Sequence, residues 1–177
     1  GPLLSKFRKA KVSLPGGCAI GSRPVDIHLY ALKKLGAKIK IKNGYILAEA
    51  KNGLKGNKIR FPSISVGATE NAVIAASYAN GTTLLSNCAC EPEIKNLTNF
   101  LKKMGIKIEW IKKRKIKISG NQKLDAATHN VMFDRIEAGT FVILGALIGK
   151  KLKISGIETK VLKKELSVLR KMGVNLK

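Results

Sequence analysis

A five-residue signature returns three times along this chain and fixes most of what it can become. Leu32-Lys33-Lys34-Leu35-Gly36 is followed by Leu101-Lys102-Lys103-Met104-Gly105 and then by Leu169-Arg170-Lys171-Met172-Gly173, with the glycines 69 and 68 residues apart. Self-similarity at a fixed period marks a fold built from one repeated supersecondary unit. Each copy closes an amphipathic stretch, and an alternating apolar run follows it: 37–41, 106–111 and 174–176. The glycine is read as a helix C-cap with a strand beyond it.

The rest of the unit repeats as well. Thr82 to Ser86 and Lys151 to Ser155 read as short strands after Gly81 and Gly149, again 68 residues apart. The helices before them are placed over 67–79 and 135–148. Pro24 and Pro92 sit where proline opens a helix at its first turn. Asn43-Gly44 is a hairpin turn between two strands, and Lys112-Lys113-Arg114 takes its place in the next copy. The inferred unit, strand-helix-strand-helix-strand-strand, predicts a mixed α/β (α+β) fold. The chain holds the end of one unit, a full unit and most of a third. Repeat units bury their apolar faces against neighbours, so the chain is expected to be incomplete as a folding unit. Residues 121–132 break the period and are read as the passage from one domain into another.

Composition narrows the function classes. Hydrophobic residues make up 45% of the 177, enough for a core and against disorder. The longest apolar runs, such as 141–148, are too short to span a membrane, and no secretory signal opens the sequence. The formal charge of +23 invites a nucleic-acid reading. It comes almost wholly from lysines scattered over every element, whereas arginine occurs only at positions 8, 23, 60, 114, 135 and 170. Without an arginine pattern or interleaved aromatics, no nucleic-acid partner is expected. The cysteines, Cys18, Cys88 and Cys90, are odd in number and read as reduced thiols of a cytosolic protein.

Four segments carry candidate chemistry. Pro15-Gly16-Gly17-Cys18-Ala19-Ile20-Gly21-Ser22-Arg23-Pro24-Val25-Asp26 is a glycine-rich loop with a thiol five residues before an arginine. Exposure and a nearby cation favour thiolate reactivity, although from the residues alone an incidental loop cysteine is the commoner case. Ser63-Ile64-Ser65-Val66-Gly67 precedes an apolar helix and reads as an anion site or as a plain N-cap. Glu91 and Glu93 flank Pro92 and are read as favourable charge against a helix dipole. Asp134 and Glu137 have capping-box spacing. Cys88-Ala89-Cys90 lacks further ligands for zinc, and His28 and His129 have no ligand spacing with one another, so no metal is expected. His28 is placed on a helix face near the loop.

The twelve-position run Pro-Gly-Gly-Cys-x-Ile-Gly-x-Arg-Pro-Val-Asp at 15–26 resembles the active-site loop of the UDP-N-acetylglucosamine enolpyruvyl transferase family. The resemblance extends over essentially the whole chain, through Ser65-Val66-Gly67-Ala68-Thr69, Glu91-Pro92-Glu93-Ile94 and Asp134-Arg135-Ile136-Glu137-x-Gly139-Thr140. It implies an inside-out α/β barrel built from the repeated unit, here incomplete, with residues 1–132 in the C-terminal part of a first domain and 133–177 opening a second. It implies transfer of the enolpyruvyl group of phosphoenolpyruvate to the 3′-hydroxyl of UDP-N-acetylglucosamine with release of phosphate, in cytoplasmic peptidoglycan precursor synthesis. No metal or organic cofactor is implied.

By the resemblance Cys18 is a general acid and covalent nucleophile toward phosphoenolpyruvate and the target of fosfomycin. Arg23 contacts the phosphoenolpyruvate phosphate. Residues Arg23, Pro24, Val25, Asp26 and Ile27 cradle uracil, with Asp26 also able to cap the helix. Residues Ser63, Ile64, Ser65, Val66 and Gly67 hold the diphosphate, Ser63 standing where some relatives carry lysine. The family also uses a lysine–asparagine pair expected upstream of Gly1 and a sugar-facing carboxylate expected downstream of Lys177. The remainder of the same polypeptide is therefore an expected partner, and these 177 residues alone are expected to be inactive. An inactive relic of the enzyme is the alternative, and a relative making 5-enolpyruvylshikimate 3-phosphate is disfavoured by the cysteine loop.

Overall fold

The computed structural model describes residues 1–16, 24–120, 123–149 and 152–176. The chain forms two compact units, Gly1–His129 and Asn130–Lys177.

The first unit opens with α1 (Pro2–Phe7) and β1 (Lys9–Ser13), followed by α2 (Asp26–Lys34), β2 (Lys38–Lys42) and β3 (Tyr45–Glu49). A full repeat follows: β4 (Lys58–Arg60), α3 (Val66–Ser77), β5 (Thr82–Ser86), α4 (Pro92–Lys103), β6 (Lys107–Lys112) and β7 (Lys115–Ser119). This is the strand-helix-strand-helix-strand-strand order expected from the period. The two sheets repeat one another too. The first runs β1-β3-β2, and the second runs β4-β5-β7-β6, with β4 parallel to β5 and the other pairs antiparallel. Among the described residues neither sheet closes into a barrel.

The signature glycines do what their spacing requires. Gly36, Gly105 and Gly173 have φ of +95°, +94° and +88°, the left-handed conformation that ends a helix without Cβ strain. In all three copies the residue after the glycine donates back into the helix, Ala37 to the Leu32 carbonyl at 3.0 Å, Ile106 to the Leu101 carbonyl at 3.1 Å and Val174 to the Leu169 carbonyl at 3.0 Å. Asn43 and Gly44 both have positive φ and form a two-residue turn with Lys42 opposite Tyr45. Lys113 and Arg114 connect β6 to β7 without left-handed residues, and a register shift between Trp110 and Lys112 absorbs the difference.

Helix α3 is the hub. Ala68, Thr69, Ala72, Val73, Ala75, Ala76 and Ser77 are all buried on it. A helix hidden on nearly every side must be apolar all round. Its small side chains also let α1, α2, α4 and β7 pack against it. Leu35, Phe61, Leu85, Ile94, Ile116 and Ile118 complete the core around it. Residues 124–129 fold back on α4. Asp125 donates to the Met104 carbonyl at 3.1 Å, and His129 stacks on Phe100 while its Nε2 lies 3.1 Å from Asn96 Oδ1.

The second unit holds α5 (Arg135–Ile148), a 3₁₀ turn (Thr159–Leu162) and α6 (Lys163–Lys171) around Ala138, Leu162 and Leu166. Here the sequence reading needs correction. Neither 152–155 nor 174–176 is a strand. A strand persists through ladder bonds to a neighbour. No other strand exists among the described residues of this unit, so an alternating pattern alone does not make one.

Candidate active site

The glycine-rich loop leaves β1 and enters α2. Leu14 donates to the Gly44 carbonyl at 2.8 Å, which ties the start of the loop to the hairpin turn. Cys18 and Arg23 lie outside the described residues. The description resumes at Pro24, which is exposed, and Val25, which occupies the N-cap position of α2 without a side-chain bond. Two expectations change here. Pro24 precedes the cap rather than forming the first turn, and Asp26 is the first helical residue rather than the cap. Asp26 still places negative charge at the positive end of the helix. Ile27 packs against the core.

Ser63 and Ile64 are exposed on the turn before α3. Ser65 caps that helix, its Oγ accepting from the Ala68 N–H at 3.3 Å. The Thr69 hydroxyl donates to the Ser65 carbonyl at 2.7 Å and accepts from the Ala89 N–H at 3.0 Å. One buried hydroxyl thus fixes the turn to the loop before α4. Val66 and Gly67 are the first two helical residues, where backbone N–H groups have no intrahelical acceptor and the helix dipole is positive.

Two predicted segments, distant in sequence, meet here through a residue to which sequence reasoning gave only a position. His28 on α2 lies over Gly67. A Cβ at position 67 would stand 3.3 Å from His28 Cε1 and 3.5 Å from Nε2. The His28 Nδ1 is 3.3 Å from Asn71 Nδ2, and the amide nitrogen can only donate, so Nδ1 accepts. Burial lowers the His28 pKa, the charge of the nearby amino terminus lowers it further, and Asp26 raises it. The ring is therefore neutral near pH 7, with its proton on Nε2. Histidine at this spacing leaves no periodic trace, and only the glycine at the start of an otherwise apolar helix hinted at a close neighbour.

Two carboxylates of the first unit, Glu70 on α3 and Glu93 on α4, lie near one another. Burial raises the pKa of Glu70 on α3, with the charge of Glu93 on α4 adding to the shift. Glu91 accepts from the Cys90 N–H at 2.6 Å, and Glu93 sits in the first turn of α4 as its dipole favours. Asp134 caps α5, with Oδ1 accepting from Ile136 N–H at 2.7 Å and Glu137 N–H at 3.2 Å. Cys88 is buried, and burial pushes its thiol up to about 12, so it is neither a nucleophile nor a metal ligand at neutral pH. Among the described residues no cluster of three or more histidines, cysteines and carboxylates could hold a metal ion.

This architecture is that of the enolpyruvyl transferases. The enolpyruvyl transferase NikO from Streptomyces tendae superposes on 98% of the chain, and 42% of its own, with a TM-score of 0.75 at 19% identity. EPSP synthase from Acinetobacter baumannii covers 99% of the chain and 41% of its own, with a TM-score of 0.66 at 20% identity. The family model for EPSP synthase (3-phosphoshikimate 1-carboxyvinyltransferase) matches residues 1–177, and the chain belongs to that family. Among its curated relatives, the UDP-N-acetylglucosamine 1-carboxyvinyltransferase of Pelagibacter ubique is 59% identical over 98% of the chain and 42% of the relative. The protein of the same name from Caulobacter vibrioides is 46% identical over 99% of the chain and 41% of the relative. The chain thus spans about two fifths of the length of these relatives. No helix among the described residues is long and apolar enough to cross a membrane.

Proposed function

We propose that this chain forms part of a UDP-N-acetylglucosamine 1-carboxyvinyltransferase. Its residues would bind the UDP-sugar and present a thiol to phosphoenolpyruvate. The observation that carries this reading is 59% identity over 98% of the chain to a relative of that name. The juxtaposition of the Pro24–Ile27 segment with the Ser65–Gly67 turn supports it, because a nucleotide sugar needs one subsite for a flat base beside another for a diphosphate.

In this reading the sugar 3′-hydroxyl attacks the central carbon of phosphoenolpyruvate while the terminal carbon takes a proton from the Cys18 thiol. The tetrahedral adduct then loses that extra proton and inorganic phosphate, and the double bond re-forms on the sugar ether. Arg23 pairs with the phosphate as it enters and leaves. The N–H groups of Val66 and Gly67 and the dipole of α3 favour the diphosphate. The first unit belongs to the first domain of the enzyme and the second unit opens the next domain. The remainder of the polypeptide supplies the other catalytic groups, no cofactor is used, and the reaction takes place in the cytoplasm as a step toward peptidoglycan.

The test is phosphate release by the complete gene product carrying this chain. Release is expected with phosphoenolpyruvate and UDP-N-acetylglucosamine, lost on Cys18→Ala and blocked by fosfomycin alkylation mapped to Cys18. Release with shikimate 3-phosphate instead of the UDP-sugar would overturn the reading, as would an adduct confined to Cys88 or Cys90.

A further inference from the structure

We propose that His28 is a positioning residue: held through Nδ1 by Asn71, with Gly67 leaving room for its ring, it sets the spacing between the start of α2 and the start of α3. The inference rests on the reading above only in that these two starts are taken to hold the two ends of a UDP-sugar.

The start of α2 needs such a fixture. Val25 caps it without a side-chain bond, Pro24 and Asp26 are exposed, and Ile27 alone of the four reaches the core. A helix end without a cap has several backbone groups unanchored, and its location falls to tertiary contacts. The next residue, His28, makes that contact. Its ring occupies the space that any side chain at 67 would take, and its Nδ1 is fixed by an amide one helical turn further along α3. Ser65 and Thr69 hold the other side, so α3 is the fixed reference and α2 the element set against it.

The two ring nitrogens make the idea testable, because asparagine places an acceptor near the position of Nδ1 and glutamine reaches toward Nε2. In the complete enzyme, His28→Gln and Asn71→Ala are expected to raise KM for the UDP-sugar about three- to tenfold, the worth of one hydrogen bond. The kcat and the KM for phosphoenolpyruvate are expected to stay within about twofold, and His28→Asn within about twofold of the parent throughout. Hydrogen exchange supplies a readout free of the functional reading: the hydrogen-bonded amides of 29–32 should exchange faster in His28→Gln and Asn71→Ala, and at the parental rate in His28→Asn. If the parent turns over no UDP-sugar but the exchange pattern holds, the functional reading fails and the positioning role stands. A tolerated His28→Gln with a defective His28→Asn would overturn the proposal, since Nε2 would then be the working atom. Parental exchange in all three variants would overturn it as well.

Discussion

Two threonines buried in the same unit should respond oppositely to the same substitution. Thr69 and Thr83 are both fully inaccessible. The Thr69 hydroxyl bridges the Ser65 carbonyl and the Ala89 N–H, whereas Thr83 Oγ1 has no hydrogen-bond partner. Valine keeps the shape and the branching of threonine and removes only the hydroxyl. In Thr69→Val the Ser65 carbonyl still accepts the residue's own backbone N–H at 3.0 Å, so little is lost there. The Ala89 N–H has no such reserve. It is stranded in a residue with 0% exposure, which costs about 1–3 kcal/mol, and the lost bond to Ser65 adds up to about 1 kcal/mol. In Thr83→Val a desolvated hydroxyl disappears with nothing left unpaired, and stability should rise by about 1 kcal/mol. Urea unfolding followed by far-ultraviolet circular dichroism reads both. With a slope of about 2 kcal/mol/M, Thr69→Val should lower the midpoint by about 1 M and Thr83→Val should raise it by about 0.5 M. A Thr83→Val midpoint below that of Thr69→Val would refute the reasoning.

Cys88 should resist alkylation in the native chain. With its thiol pushed up to about 12 from an ordinary value near 9, its thiolate fraction at pH 8 falls about a thousandfold, so peptide mapping should find it modified by iodoacetamide only after denaturation. Native labelling at the denatured rate would contradict the burial. Glu70 should make stability fall with rising pH across its own titration. Its folded pKa lies above the ordinary 4.5, so between the two values the folded chain holds the proton that the unfolded chain has lost. Urea midpoints of Glu70→Gln, compared with the parent from pH 4 upward, should lack this decline, and a variant that loses stability relative to the parent as pH rises would have the sign wrong.

Local signals were legible wherever a residue's own backbone preference decides the outcome. The left-handed glycines at 36, 105 and 173, the turn at Asn43-Gly44, the Asp134 cap and the bounds of β5 all follow from conformations set within a few residues. The failures lie where local pattern does not decide the outcome. At 152–155 and 174–176 the apolar alternation is present and the strands are not, because alternation reports which faces a strand would offer and not whether a partner lies alongside. Pro24 was misplaced because its fixed φ suits the residues before a cap as well as the first turn. The motif pointed to the segments at 24–27 and 63–67, but the contact of His28 with Gly67 depends on the packing of two helices and is invisible to spacing.

The charge resolves in the same way once the sheets are known. Lys9 and Lys11 stand on β1 and Lys38, Lys40 and Lys42 on β2, and these are the two edges of the first sheet. Lys58 on β4 and Lys107 and Lys112 on β6 occupy the edges of the second. An edge strand offers unpaired N–H and C=O groups to any passing strand, and lysine is the residue that most often blocks that pairing. On β2 the lysines alternate with Ile39, which packs against the core, and Ile41, which stays exposed. A repeat fold in which successive units each present short edges has many such positions to guard. The lysines at 9, 11, 38, 40, 42, 58, 107 and 112 therefore have a folding role at the sheet edges of the described residues.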